Sequence, residues 1–209
     1  MPSYSGAKAF GLGDGQMAYR LIGIMLQNLG STGAYNEPLM AYDYDKIGAW
    51  LRLGDRLDPD SNFLPALAAF YFGSIKSPQQ LGIIVDYLSD VGSRDDGTGV
   101  KWRWLAQGVY LARWGERDLP KALRLANELS TKWRPGRPLW IKQMPAFIMA
   151  ASGDKKGAYG LMLAILKEEA GKVQQAELNN TIFFICHNIL EPGDAAKNPL
   201  CTSLPPGLK

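Results

Sequence analysis

From Asp43 onward the apolar side chains recur at helical spacing rather than in alternation. Tyr44, Ile47, Trp50, Leu51, Leu53 and Leu57 keep mostly to i, i+3, i+4, i+7 positions, the stripe of an amphipathic helix. Leu81, Ile84, Val85 and Leu88 repeat the stripe, as do Leu119, Ala122, Leu125, Ala126 and Leu129, and then Tyr159, Met162, Leu163, Ile165 and Leu166. Between them lie Phe63 to Ile75, Val100 to Trp114 and Leu139 to Ala151, each rich in aromatic or small apolar residues. A helix near Gln16 to Leu29 precedes this set and one near Val173 to Leu190 follows it, which predicts about nine helices. No run of strict alternation flanked by hairpin turns is present, so the expected class is all-α. Trp50, Leu57, Leu81, Leu105, Leu125, Phe147 and Met162 are the expected core. Pro65 falls in a first turn, where proline is tolerated, whereas Pro145 falls inside its helix and is expected to kink it.

The helix starts carry more information than the stripes. Asp43, Ser77, Asp118 and Asp154 each stand just before one of the four amphipathic helices, where a side-chain oxygen can accept from the free N–H groups of the first turn. Pro78 directly follows Ser77, at the first helical position, where a missing N–H does no harm. The caps fall 34, 41 and 36 residues apart. A period of that size is the mark of helical hairpins stacked as a solenoid, each burying its face on the next. On this reading residues 1–15 are a flexible lead-in, 16–190 the repeat domain and 191–209 a tail containing Pro and Gly. The stretches Gly30 to Pro38 and Gly92 to Gly99 read as flexible connections.

Particular residues carry a likeness to a known family. Leu57-Asp58-Pro59 resembles the close of a tetratricopeptide repeat, with the Tyr44 to Leu57 helix before it as a second helix. Trp102, Leu105, Ala106 and Tyr110, followed by Ala122 and Leu129, resemble one repeat. Trp140, Phe147, Gly153-Asp154, Ala158 and Met162 resemble the next. The likeness spans roughly residues 43–169 and is degenerate, with extra residues between helices and Gln143 where the pattern has Leu. It implies antiparallel helical hairpins in an α-solenoid, and a scaffold whose first helices line a groove for a partner.

Composition narrows the function without naming it. Hydrophobic residues make up 46% and charged residues 21% of the 209, with a net charge of +3, which suits a soluble globular protein and makes nucleic acid an unlikely partner. No dense basic region precedes the first apolar stretch, and Arg20, Gln27 and Asn28 interrupt it, so neither a signal peptide nor a membrane span is expected. That reading places the chain in the cytoplasm, or in the periplasm or at a membrane if a leader or anchor precedes it. The sole histidine, His187, leaves too few ligands for a zinc site, and no cofactor is expected. His187 also adjoins Cys186, and neighbours on a helix point about 100° apart, which argues against a nucleophile–base pair. Cys186 reads either as a buried core thiol or as one end of a disulfide to Cys201 that staples the tail. Gly11-Leu12-Gly13-Asp14-Gly15 lacks the Lys and Ser/Thr of a phosphate loop, and Asp95-Asp96-Gly97 lacks the rest of a calcium loop.

Two features point to binding rather than catalysis. In the stretch Lys132 to Lys142, cations alternate with aromatics, and Arg134, Arg137 and Lys142 form a basic rim for an acidic peptide or protein. On the Val100 to Trp114 helix, Arg103, Gln107 and Tyr110 share a side that can hold a peptide or partner helix. The expected function is a non-enzymatic scaffold or adaptor. The alternative is a small-ligand or enzymatic helical domain using an aromatic-rich interior pocket.

Overall fold

The structure is a computed structural model that describes residues 2–31, 37–94 and 99–204. It is all-helical, with no β-strand among the described residues. Twelve α-helices are present there rather than nine, the added three being short ones at the two ends. The chain divides into two compact units, Met1–Ala122 and Leu123–Lys209.

The first unit opens with α1 (Tyr4–Phe10) and α2 (Gly15–Gln27). The stretch expected to be a flexible lead-in therefore contains a helix, started by the Ser3 hydroxyl accepting from the Gly6 N–H. After a short 3-10 turn at Leu39–Ala41 come α3 (Tyr44–Leu57), α4 (Phe63–Phe70) and a second 3-10 turn at Phe72–Ser74. Next are α5 (Pro78–Ser93) and α6 (Trp102–Leu111), which widens into a π-helical turn at Ala112–Glu116. α7 (Leu119–Thr131) begins at the end of this unit and continues into the second.

All four predicted caps are in place. Asp43 accepts from Lys46 N–H at 3.1 Å, Ser77 from Gln80 N–H at 3.5 Å and Asp118 from Lys121 N–H at 2.9 Å. Asp154 accepts from Gly157 N–H at 2.9 Å at the head of α9 (Lys155–Glu169). Each such bond satisfies a backbone donor that the helix itself cannot, typically worth about 1 kcal/mol.

α5 packs on α6 most closely at Gly92, which is buried in the last turn of α5 and not part of a flexible connection. A β-carbon there would lie 2.2 Å from the Leu105 backbone nitrogen and 2.7 Å from its α-carbon. Leu105 itself is fully buried, with Ile84, Val85, Tyr87 and Leu88 of α5 and Leu64 of α4. At the start of α6, Lys101 is only 1% exposed and its ammonium donates to the Ser61 and Asp60 carbonyls at 2.7 and 3.3 Å, tying the α3–α4 connection to α6. Across the hairpin, Arg94 donates to Asp55, whose carboxyl burial pushes above its ordinary pKa. Asp95, Asp96 and Gly97 lie outside the described residues.

The second unit holds the remainder of α7, α8 (Trp140–Ala151), α9, and α10 (Gln175–Phe184), which widens into a π-helical turn at Ile185–Ile189. Two single-turn helices come after it, α11 (Pro192–Ala195) and α12 (Pro199–Thr202), in the stretch read as an aperiodic tail. Ala146, Ala158, Met162, Ile185 and Ile189 form its core, and Pro145 is carried within α8 on a buried position. Gln143, where the repeat pattern has Leu, is buried and donates to the Thr181 hydroxyl at 2.5 Å, so the polar side chain is satisfied. The Cys186 and Cys201 sulfurs are joined, closing a 15-residue separation and fastening α12 to the π-helical turn. In the chain-entropy model a loop of that size stabilises by about 3 kcal/mol.

Of the expected core, Leu57, Leu81, Leu105, Leu125 and Met162 are buried, while Trp50 and Phe147 are only half-buried. Phe147 packs edge-on against Phe184 at 4.6 Å between ring centroids, at the border of the core. Trp50 sits beside α1 and α2, a neighbourhood that the stripe on α3 alone cannot reveal. The contact at Gly92 gives a direct test. Gly92→Ala should destabilise the protein by about 2–3 kcal/mol in urea unfolding, although Ala is the better helix former, because the added methyl meets backbone rather than a movable side chain. An unchanged or raised midpoint would show that α6 does not approach α5 at this position.

Candidate functional site

Arg103, Gln107 and Tyr110 follow one another at i, i+4, i+7 along α6 and form one stripe. Lys101, just before them, is buried and takes no part. Arg103 is exposed with its guanidinium 5.6 Å from the Trp102 ring centroid, Gln107 is half-buried, and Tyr110 is 56% exposed. The stripe runs on to Trp114 in the π-helical turn, 59% exposed, with the Arg113 guanidinium 4.4 Å from its ring centroid. About 100° round α6 from the stripe, Trp104 donates to the Asn62 side chain at 2.7 Å, so it and Trp114 have different roles.

A cleft of about 530 Å³ opens beside this stripe. Tyr110, Trp114 and Arg117 form one wall, and Ile75, Lys76 and Leu81 belong to the other. Two cations and no carboxylate line it. Arg117 adopts φ 61°, ψ 31°, a left-handed conformation uncommon for a side chain of this kind. That conformation ends the π-helical turn and sends the Asp118 N–H back to the Ala112 carbonyl at 2.9 Å, leaving Asp118 to cap α7. The neighbouring acid, Glu116, is drawn away into contacts with Lys121, which also holds Asp86 at 2.8 Å. Burial pushes the Glu116 carboxyl up, against the opposing pull of Lys121.

The basic rim does not assemble as one exposed patch. Arg134 is exposed, but Arg137 is half-buried and donates back to the Lys132 carbonyl across its own loop. Lys142 is half-buried, held by Glu169 at 2.6 Å and Glu168 at 2.8 Å, and lies 5.0 Å from the Trp133 ring centroid. Burial pulls its ammonium down, but the hydrogen bonds to both carboxylates outweigh this and hold its pKa above the ordinary value. Glu168 is correspondingly held below its usual range by the Lys142 hydrogen bond. Arg103, Gln107 and Tyr110 fall in the first unit and Arg134, Arg137 and Lys142 in the second. A smaller cavity of about 370 Å³ lies within the second unit, with Trp133, Arg137, Lys172 and Glu177 among its lining residues.

A third concavity, also about 530 Å³, lies between α3 and α5. Arg52, Arg56, Asp90 and Arg94 stand at its edge, while the buried Asp55 and Tyr87 line it more deeply. One Asp55 carboxylate oxygen and the Tyr87 hydroxyl have no hydrogen-bond partner among the described residues. Sequence reading reached Tyr110 but missed Trp114, Lys76 and Arg117. Trp114 was within reach, since it continues the Tyr110 stripe by one turn. The position of Lys76 beside α6 depends on contacts between segments far apart in the chain, and the left-handed backbone of Arg117 has no signal in its residue type.

Comparison with protein-family models, with curated proteins and with solved structures finds no match for this chain. Among the described residues no group of three or more His, Cys, Asp or Glu side chains is placed to hold a metal, and no helix is long and apolar enough to cross a membrane.

The Lys142 cluster separates a structural from a binding role for that residue. Lys142→Met leaves Glu169, only 1% exposed, without its cation, and should destabilise the protein by about 3 kcal/mol at neutral pH. Glu168, held below its usual range by Lys142, contributes stability above its unfolded pKa and loses it as pH falls through the folded value, while the raised Lys142 ammonium loses its contribution only at high pH. The gap between wild type and variant should therefore hold from about pH 5 to 9 and narrow on acidification below about pH 4. A gap that is absent at pH 7 would return Lys142 to the exposed rim.

Proposed function

We propose that this protein is a non-enzymatic, tetratricopeptide-like helical scaffold that binds a partner protein, and that an acidic segment of the partner docks in the Tyr110–Trp114 cleft. The repeat reading is supported by the four caps at 34-, 41- and 36-residue intervals, each at the head of an amphipathic helix. The binding reading rests on one observation: two exposed aromatics and two cations line one cleft that no carboxylate enters. Tyrosine, tryptophan and arginine dominate the energetics of protein interfaces, because they offer large, stiff surfaces with a polar end. A cleft carrying only positive charge also speeds encounter with an acidic partner and disfavours basic ones. The partner's carboxylates would meet Lys76 and Arg117, and its apolar side chains would rest on Trp114, Leu81 and Ile75. Arg103 and Gln107 would extend the contact along α6. Of the basic rim in the second unit, Arg134 is the exposed member.

A second reading, as a small-ligand site, is favoured by the α3–α5 concavity alone, where the Asp55 oxygen and the Tyr87 hydroxyl would serve as polar anchors. The two readings divide on Asp55→Asn, which should abolish any small-ligand thermal shift and leave peptide binding unchanged.

The main reading is tested with a library of acidic and charge-neutral peptides, read by tryptophan fluorescence. Acidic peptides should bind, and binding should weaken by about tenfold between low and high salt as the exposed charges are screened. Trp114→Ala should weaken it by about 30-fold, as removal of an interface anchor does, with the melting temperature nearly unchanged because the side chain is exposed. Arg117→Glu should weaken it further in acidic peptides only. Equal binding of neutral and acidic peptides, or a Trp114→Ala variant that binds as wild type, would overturn the proposal.

A further inference from the structure

We propose that the corner between α1 and α2 seats this protein on the surface of an anionic lipid bilayer. The corner is Phe10-Gly11-Leu12-Gly13, and it presents its two largest side chains outward: Phe10 is 71% and Leu12 90% exposed. Leu12 also has φ +55°, a conformation in which Asn or Gly would be at home and a branched apolar side chain is not. The backbone there is held firmly. Leu12 N–H donates to Ala9 and Gly13 N–H to Lys8, both at 3.0 Å, and Asp14 N–H donates to Gly11 at 2.8 Å. A β-carbon on Gly11 would lie 2.3 Å from the Asp14 carbonyl oxygen, so the corner closes only with glycine at that place. An apolar side chain thus stands in water and in an unfavourable backbone conformation together, and such strain concentrates where a chain engages something outside itself.

The apolar surface does not stop at the corner. Met17, Leu21, Ile24 and Met25 are exposed on α2, at i, i+4, i+7 and i+8, while Ala18, Tyr19, Ile22 and Leu26 fill the core from its other side. α2 is therefore apolar on two faces, only one of which the fold covers. Beside the outward face, α1, α2 and the half-buried Trp50 enclose an apolar hollow of about 170 Å³, lined by Phe10, Leu21 and Met25 among others, which suits a stretch of acyl chain. Among the described residues nothing packs over this face.

Charge identifies the occupant. Lys8 and Arg20 are exposed on α1 and α2, and Asp14 is the one acidic residue in the first 36 positions. Its carboxylate is occupied in accepting from the Gln16 and Met17 N–H groups at 2.8 and 3.3 Å. An apolar stripe with flanking cations, its single acid engaged in capping α2, is the surface that lies in a bilayer interface, side chains among the acyl chains and cations at the headgroups. An apolar partner helix would account for the stripe but gives no reason for cations to outnumber acids on α1 and α2.

Vesicle flotation of the full chain tests this, using phosphatidylcholine alone and phosphatidylcholine mixed with phosphatidylglycerol. The chain should float with the mixed vesicles and bind pure phosphatidylcholine about tenfold more weakly, since each basic residue near an anionic surface contributes severalfold. Leu12→Asn should weaken binding to the mixed vesicles by about tenfold while leaving the melting temperature equal or higher, because Asn tolerates the left-handed conformation. Arg20→Glu should weaken binding to the mixed vesicles and leave pure phosphatidylcholine unaffected. The proposal is overturned if the wild type floats with neither vesicle or if Leu12→Asn floats as well as wild type. It is equally overturned if the chain elutes as a dimer that Leu12→Asn dissociates, for then a second copy covers the face.

Discussion

In the first unit, α6 can lie against α5 only because position 92 has no side chain. The Leu105 backbone occupies the space where a β-carbon would be, so the approach is a contact of main chain on main chain, closer than any pair of side chains allows. Much else depends on that distance. It carries Leu105 into a fully buried site and draws the Lys101 ammonium to the Ser61 carbonyl. It also aims the far end of α6 so that its π-helical turn passes over Leu81, with Gly115 resting on that side chain. The cleft that holds Tyr110 and Trp114 is then the gap left between the turn and the segment from Gly73 to Pro78. A fold contact and a binding surface are in this way two ends of one helix.

The wider turn of α6 has its own function in this arrangement. A π-helical turn inserts one residue into the helical repeat and rotates the residues after it, and such turns are common at functional positions. Here Trp114 lies within the turn, exposed beside Tyr110, and the left-handed Arg117 ends it. α10 ends with the same device, and there it places Cys186 toward Cys201 and Ile189 in the core.

How much of this could be read from the chain depends on how local each cause is. Helix starts were legible because a cap and its donor lie within three residues, and Asp43, Ser77, Asp118 and Asp154 all act as their positions suggest. Burial of Trp50 and Phe147 was not, since the helical stripe names a face but not how completely another element covers it. Gly92 was read as the edge of a loop, because a glycine run looks the same whether it bends the chain or admits a neighbour. α1 escaped notice for a similar reason: its first turn is held by Ser3 and its end by glycines that suggest freedom. The basic rim was misleading on energetic grounds. The carboxylates that hold Lys142 come from α9, more than twenty residues away, and no local pattern announces them. The aromatic stripe of α6 was partly legible, since Arg103, Gln107 and Tyr110 need only helical spacing to be aligned.

The joined Cys186 and Cys201 have a consequence for how the chain matures. With two cysteines in the whole sequence, one intramolecular pairing exists, so oxidation involves no search among alternative partners and no reshuffling of wrong bridges. The remaining error is cross-linking between molecules. Cys186 lies in a buried turn and its partner only fifteen residues further on, so the correct encounter is favoured at ordinary protein concentrations by the short tether. Crowded, unfolded copies would lose that advantage, and covalent dimers would be the sign of folding that came too late.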